Sequence, residues 1–216
     1  MNIVPENPKI YHLTHVGNLQ NIFDSGKVLS DAQRIFLAPA HTNVGISEIK
    51  RRRLEELKVS CHPDTKVGEY VPFYFCPRSI MLFLIYKGNH PDLTYKDGQN
   101  SIVYLQADLR RVIAWAEAEG RRWAFSDVNA GARYAFFYCD LDQLDKINWD
   151  AVNATDFREP LIKDKKQAEF LLHKSFPVDL IEAIGAINNS VAACVNKIIL
   201  NTGHAITVDT KPEWYF

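Results

Sequence analysis

Short strand-like and helix-like segments alternate along this chain without the even spacing of a β-α-β repeat. That irregularity constrains the fold more than any single motif, because it predicts an α+β domain instead of a doubly wound sheet. Ile10 to His15 reads as a strand, and Asn18 to Ser25 as a helix stopped by Gly26. Residues 31–45 read as loop, with Pro39, Asn43 and Gly45 as breakers. A second helix is expected over Ile46 to Val59. Tyr70 to Cys76 is an aromatic-rich strand, and the apolar run Ile80 to Tyr86 is a buried helix opened near Ser79. A strand over Ser101 to Ala107 precedes a helix over Leu109 to Glu119, ended by Gly120. Later strands are expected near Arg133 to Tyr138, Glu169 to Phe176 and Ile198 to Ala205. With no internal repeat or Gly/Ser linker, residues 1–216 read as a single domain.

The run Ile80 to Tyr86 is the longest apolar stretch and is far too short to cross a bilayer, so no membrane role is expected. The first residues lack a basic segment followed by an apolar one, so the expected location is cytoplasmic. The four cysteines are scattered. Cys61-His62 is the one Cys/His neighbour pair, and no second pair completes a zinc site, so no metal is expected. A net charge of −1 means that any nucleic-acid binding must come from a local patch. Walker, dinucleotide-fingerprint, zincin and nucleophile-elbow motifs are all missing, which weakens the common nucleotide-fold and hydrolase readings.

Two residues stand out on physical grounds. Glu169 lies in the strand-like segment Gln167 to His173, among Phe170, Leu171 and Leu172. An ionised carboxylate there costs free energy unless something pairs with it, and such acids are often functional. The charged stretch Lys163-Asp164-Lys165-Lys166 before it is expected to be mobile. On the second helix, at about 100° per residue, Ile46, Ile49 and Leu57 share a face, and Arg53 falls near its centre. Arg51 points nearly opposite and Arg52 lies at the flank. Snorkelling of Arg53 along an apolar face fits the same phase. Taken singly, Glu169, Arg53, His12, Thr14 and the Phe73 to Met81 block all have ordinary structural readings.

Together they resemble one family. Tyr11 to Leu19, Ile49 to Leu54, Gly68 to Met81, Lys166 to Leu171 and Phe176-Pro177 are similar to the DarT family of DNA ADP-ribosyltransferase toxins. The aromatic-Pro-Arg-Ser block (Tyr74 to Ser79) and the Gln-Ala-Glu-Phe-Leu block (Gln167 to Leu171) are the distinctive parts. The resemblance implies an ADP-ribosyltransferase-like fold, two small packed sheets around an NAD cleft with flanking helices. NAD would be the co-substrate, with no metal. His12 would bond the adenosine-side ribose, and the Leu13 backbone would hold the nicotinamide amide with Thr14 and Asn18 nearby. Tyr74, within Phe73 to Phe75, would offer a ring to nicotinamide, and Ser79 would open the helix beneath. Arg53 would match the family's functionally important arginine, catalytic together with Glu169, the catalytic carboxylate; its guanidinium can pair with the diphosphate or offset the charge of Glu169.

The acceptor implied is a nucleobase in single-stranded DNA, gripped by cations and aromatic faces. Candidate contacts are Arg51 with Lys50 and Arg52, Arg78, Arg121-Arg122-Trp123, and Lys165 and Lys166 before Glu169. Relatives that modify thymine tend to carry a histidine where this chain has Asn129. An amide reads a base edge but is no general base near neutral pH, which turns the expectation towards guanine, with thymine still open. The resemblance also implies a toxin with a macrodomain antitoxin partner. A same-fold transferase acting on RNA or protein, and a non-catalytic NAD- or DNA-binding module, are the alternatives.

Overall fold

In a computed structural model that describes residues 3–37 and 40–216, strand β1 (Lys9–His15) leads through a 3-10 turn into helix α1 (Leu19–Ser25). The helix ends at Gly26, as expected. A short strand β2 (Lys27–Leu29) and helix α2 (Asp31–Leu37) follow. Helix α2 corrects the loop expected over 31–45: no breaker interrupts Asp31 to Leu37, and the breakers all come later. Pro39, one of them, lies outside the described residues. Helix α3 (Ser47–Glu55) is shorter than expected, because Lys58–Val59 leaves it as β3 to pair with β4 (His62–Lys66).

Strand β5 (Tyr70–Tyr74) precedes α4 (Ile80–Lys87), whose first turn is capped by the Ser79 hydroxyl accepting from Leu82 N–H. Strand β6 (Ile102–Asp108) and helix α5 (Leu109–Ala118) agree with the expected elements. Strands β7 (Trp123–Ser126) and β8 (Phe137–Tyr138) follow. The first of these was not foreseen, because it has no polar alternation: all four residues are buried. Helices α6 (Trp149–Asn153) and α7 (Pro160–Lys165) then lead to β9 (Glu169–His173).

Lys174, with φ 68°, separates β9 from β10 (Ser175–Pro177), so the expected single strand is two. Strand β11 (Ala183–Ala186), helix α8 (Asn189–Leu200) and β12 (Thr207–Thr210) complete the chain. The strand expected at Ile198 to Ala205 is therefore the end of α8 and a turn. Ala192, Val195 and Ile199 form a buried stripe at helical spacing, and that tertiary contact outweighs the β preference of Ile198-Ile199.

The main sheet runs β12-β11-β6-β1-β5-β9-β7-β8. It is two four-stranded halves that barely join. Strand β1 pairs with β6 along its whole length, from Lys9↔Asp108 to His15↔Ile102, but with β5 only at Tyr11↔Tyr74. Strand β5 in turn pairs fully with β9, from Tyr70↔His173 to Tyr74↔Glu169. The halves splay from that single contact, and a cavity opens where β1 and β5 separate.

Strands β6 and β9 are buried on both faces over most of their length. On β6, Val103, Leu105 and Ala107 join a core with α1, α5 and α8, while Ile102 and Tyr104 pack with α4 and the C-terminal Tyr215. On β9, Phe170 and Leu172 enter the first core and Leu171 a third, with Val59 of β3 and Phe137 of β8. Fully burying side chains of this size stabilises by about 1.5–3 kcal/mol each, so the frame behind the cavity is rigid.

Candidate active site

Glu169 opens β9, wholly buried, opposite Tyr74. One carboxylate oxygen, Oε1, accepts from Arg53 Nη2 at 2.5 Å and from the Ala130 backbone N–H at 3.0 Å. The other, Oε2, is buried with no hydrogen-bond partner. A buried charged oxygen left unpaired costs on the order of 1–3 kcal/mol or more, so it calls for a donor from outside the chain. Glu169 N–H itself donates to Ser126 Oγ at 3.2 Å, and that hydroxyl donates on to Val128 O at 2.6 Å. The acid is thus fixed by β7 and the loop after it.

Arg53 comes from α3 and is aimed inward, as its helical phase suggested. Its Nη2 also donates to Asn129 Oδ1 at 3.0 Å. Burial opposes its charge, but Glu169 outweighs that and raises its pKa above the usual guanidinium value. Gly131 lets the helix come this close. A Cβ there would stand 2.9 Å from both Ile49 Cγ2 and Asn129 Oδ1. Asn129 Oδ1 also accepts from Gly131 N–H at 2.7 Å, so the amide braces the arginine and its own loop.

A cavity of ≈ 350 Å³ lies in front of this pair, lined by His12, Leu13 and Thr14 of β1, Tyr74 of β5, and Arg53 and Asn129. Glu169 lies directly behind Arg53 and is not part of the lining. His12 Nδ1 is 2.8 Å from Pro72 O, a contact that requires Nδ1–H to donate. Burial, with Lys50 nearby, pushes its pKa down to about 4, so at neutral pH the ring is uncharged and Nε2 is a free acceptor for a hydroxyl.

Further cations line the same cavity. Lys50 Nζ is 3.0 Å from Asp31 Oδ1, and Arg34 pairs with the same carboxylate. Burial lowers the Lys50 pKa, while Asp31 is held below the usual carboxylate range because its two cations outweigh its burial. Two cations on one acid leave positive charge facing the cavity, suited to a diphosphate. Lys50 stands on α3, while Arg34 and Asp31 are brought to it by α2, in a segment whose sequence reads as loop.

The remaining candidates divide. Asn18 lines the cavity, but its amide is engaged: Nδ2 donates to Thr14 Oγ1 and to Thr42 O, and Oδ1 accepts from Thr42 N–H at 2.7 Å. It ties the segment after α2 to α1. Ser79 is fully buried as the α4 cap and does not line the cavity. Lys166 corrects the expectation of a mobile basic loop: it is buried, donating to Val152 O at 2.6 Å.

Arg51 pairs with Glu48 and Glu55 on the exposed face of α3. Arg78 lies over the Phe216 ring at 4.4 Å. Arg121 donates to the backbone at His173, Arg122 pairs with Asp64, and Trp123 is buried, so these three form no open stacking patch. Lys165 bonds Asp127 at 2.7 Å.

The arrangement can stabilise cationic character at a sugar carbon. As a C1′–N glycosidic bond breaks, positive charge builds on the ribose, and a carboxylate accepting from its 2′-hydroxyl holds that charge in a dry site. Glu169 Oε2 has this capacity free.

Comparison with known proteins points to one family. The model of the DarT family, described as "ssDNA thymidine ADP-ribosyltransferase, DarT", matches residues 11–216. A DNA ADP-ribosyl transferase of Thermus sp. (strain 2.9) is 35% identical over 215 residues, 98% of each chain. The structure of Thermus sp. 2.9 DarT in complex with ADP-ribosylated ssDNA superposes with a TM-score of 0.90 at 33% identity, over the whole of both chains. The same relative in complex with NAD+ gives 0.85 at 32%, over 99% of this chain and 100% of that one. The chain belongs to the DarT family of DNA ADP-ribosyltransferases.

Proposed function

We propose that the protein cleaves NAD and transfers ADP-ribose to a base in single-stranded DNA, with Glu169 as the catalytic carboxylate. The observation that carries this reading is the divided carboxylate: one oxygen is locked by Arg53 and Ala130, and the other is buried and unpaired behind the cavity. NAD's diphosphate is assigned to Lys50, Arg34 and Arg53, and a ribose hydroxyl to His12 Nε2. The nicotinamide leaves with the C1′–N electron pair, a base nitrogen attacks C1′, and its proton is lost to a neighbouring base or water. Relatives solved with NAD+ and with ADP-ribosylated ssDNA support NAD as the donor and single-stranded DNA as the acceptor.

For the acceptor strand, the support lies around the cavity's Asn129 side. Tyr134 and Phe136 are 64% and 66% exposed, and Arg133 and Lys163 are exposed nearby in the chain and on α7, where Tyr134 Oη donates to Asp164. Exposed rings beside cations suit splayed bases and a phosphate backbone. Thymine is the acceptor the family description favours. Asn129 in place of a histidine favours guanine as a second reading. A toxin role with a macrodomain antitoxin follows from the family resemblance.

Nucleoside mass spectrometry on a mixed-sequence single-stranded oligonucleotide treated with protein and NAD tests the whole reading. It should give an ADP-ribosylated nucleoside, and Glu169→Gln should give none. Modified guanosine alone would remove thymine. Labelling of RNA or protein without DNA would overturn the DNA assignment.

A further inference from the structure

Cys61 and His62, in the β3–β4 hairpin, meet Cys139, which follows β8. Their ligand atoms all lie within 4.8 Å of one another, and none of the three lines the cavity. The sequence separates Cys139 from the other two, and only the docking of the hairpin against the sheet edge brings them together. We propose that these three side chains bind a zinc ion, with water as the fourth ligand.

The side-chain types are the first ground. Two thiols and an imidazole form a set that zinc takes in preference to harder cations. A tetrahedral ion about 2.3 Å from sulfur and 2.0–2.1 Å from nitrogen holds its ligands roughly 3.5–4 Å apart, so small side-chain rotations close the site. The second ground is independent. His62 Nε2 is 3.0 Å from Trp123 O, and a carbonyl can only accept, so Nε2 carries the proton and Nδ1 keeps its lone pair. A backbone carbonyl holding the far nitrogen is the arrangement that orients metal-binding histidines. Exposure is the third: Cys139 is exposed and Cys61 half-buried, so an ion can enter from solvent and retain a water. On binding, each thiol gives up its proton to solvent as its sulfur takes the metal.

The position gives the ion a structural use. The hairpin follows α3, which carries Arg53, and β8 follows the loop that carries Asn129 and Ala130. A zinc clasp would tie together the two segments that hold Glu169.

The test uses the full chain without an affinity tag, purified anaerobically as Glu169→Gln to avoid toxicity. Elemental analysis should find about one zinc per chain, and exchange to cobalt(II) should give thiolate-to-cobalt charge-transfer absorption. Both should vanish in Cys61→Ser/Cys139→Ser, and chelation should lower the Tm of the parent alone. If the double variant does not fold, the cobalt spectrum of the parent decides. A folded parent that binds no zinc in excess metal and gives no such absorption would overturn the proposal. So would a Cys61–Cys139 disulfide in its intact mass.

Discussion

Glu169 and Arg53 are coupled closely enough that substitutions at the two positions should differ in kind. Glu169→Gln keeps an oxygen for Arg53 and Ala130 while removing the charge that a cationic ribose needs. Transfer should fall by roughly 10²-fold or more, since electrostatic groups of this type contribute that much, with a smaller loss of Tm than Arg53→Ala because the hydrogen bonds to Arg53 and Ala130 persist. Arg53→Ala removes the partner and leaves the acid buried, so it should cost about 3–5 kcal/mol as well as activity. Denaturant unfolding of both variants separates the two effects.

His12 makes a pH prediction at the same scale. Its folded pKa is about 4 against an ordinary 6.5, so between these values the unfolded chain binds the extra proton. Stability therefore rises with pH through that window and is lost as pH falls from about 6.5 towards 4. Burial and Arg34 push His41, on the same cavity wall, down to about 3, which adds in the same direction. Urea midpoints between pH 4 and 7 should show the loss, and His12→Asn should reduce it to the share that His41 contributes.

At the scale of elements, α7 and the turn into β9 show how alike residues divide by tertiary role. Lys163 is exposed, Lys165 is paired to Asp127, and Lys166 is buried. Lys166→Met should leave Val152 O without its donor and cost about 1–3 kcal/mol, with the salt dependence of oligonucleotide binding unchanged. Lys163→Ala and Arg133→Ala should leave stability alone and each flatten the log-affinity slope against log salt by about 1. Titrations at several salt concentrations distinguish the two classes. A charge run in sequence states only that the residues are polar; here the helix turn puts one of them inside.

Across the whole molecule, the C-terminal segment closes the face of the sheet shared by β6 and β11. Trp214 packs edge-on to Tyr11 and Tyr104, and Tyr215 Oη lies 2.9 Å from Ile102 O. Gly185 on β11 leaves the space for Trp214: a Cβ would stand 2.2 Å from its Cζ3. Gly185→Ala should overpack this face and cost about 1–3 kcal/mol, which for a chain of this length lowers Tm by several degrees in calorimetry. No helix among the described residues is long and apolar enough to cross a membrane.

What the sequence determined by itself was local. Helix phase aimed Arg53 inward, an acid among apolar strand residues marked Glu169, and Gly26 and Ser79 fixed the end of one helix and the start of another. Motif resemblance placed the chain in its family, and the family match bears that out. Tertiary structure decided what no window of residues contains. Burial on both sheet faces hid β7 and β11 from periodicity, and a core stripe made α8 a helix through Ile198-Ile199. Packing turned Ser79, Arg78 and Lys166 to structural use, while α2 brought Arg34 and Asp31 to Lys50. The single β1–β5 contact at Tyr11↔Tyr74 opens the cavity, and strand pairing between distant segments is a property that no local pattern carries.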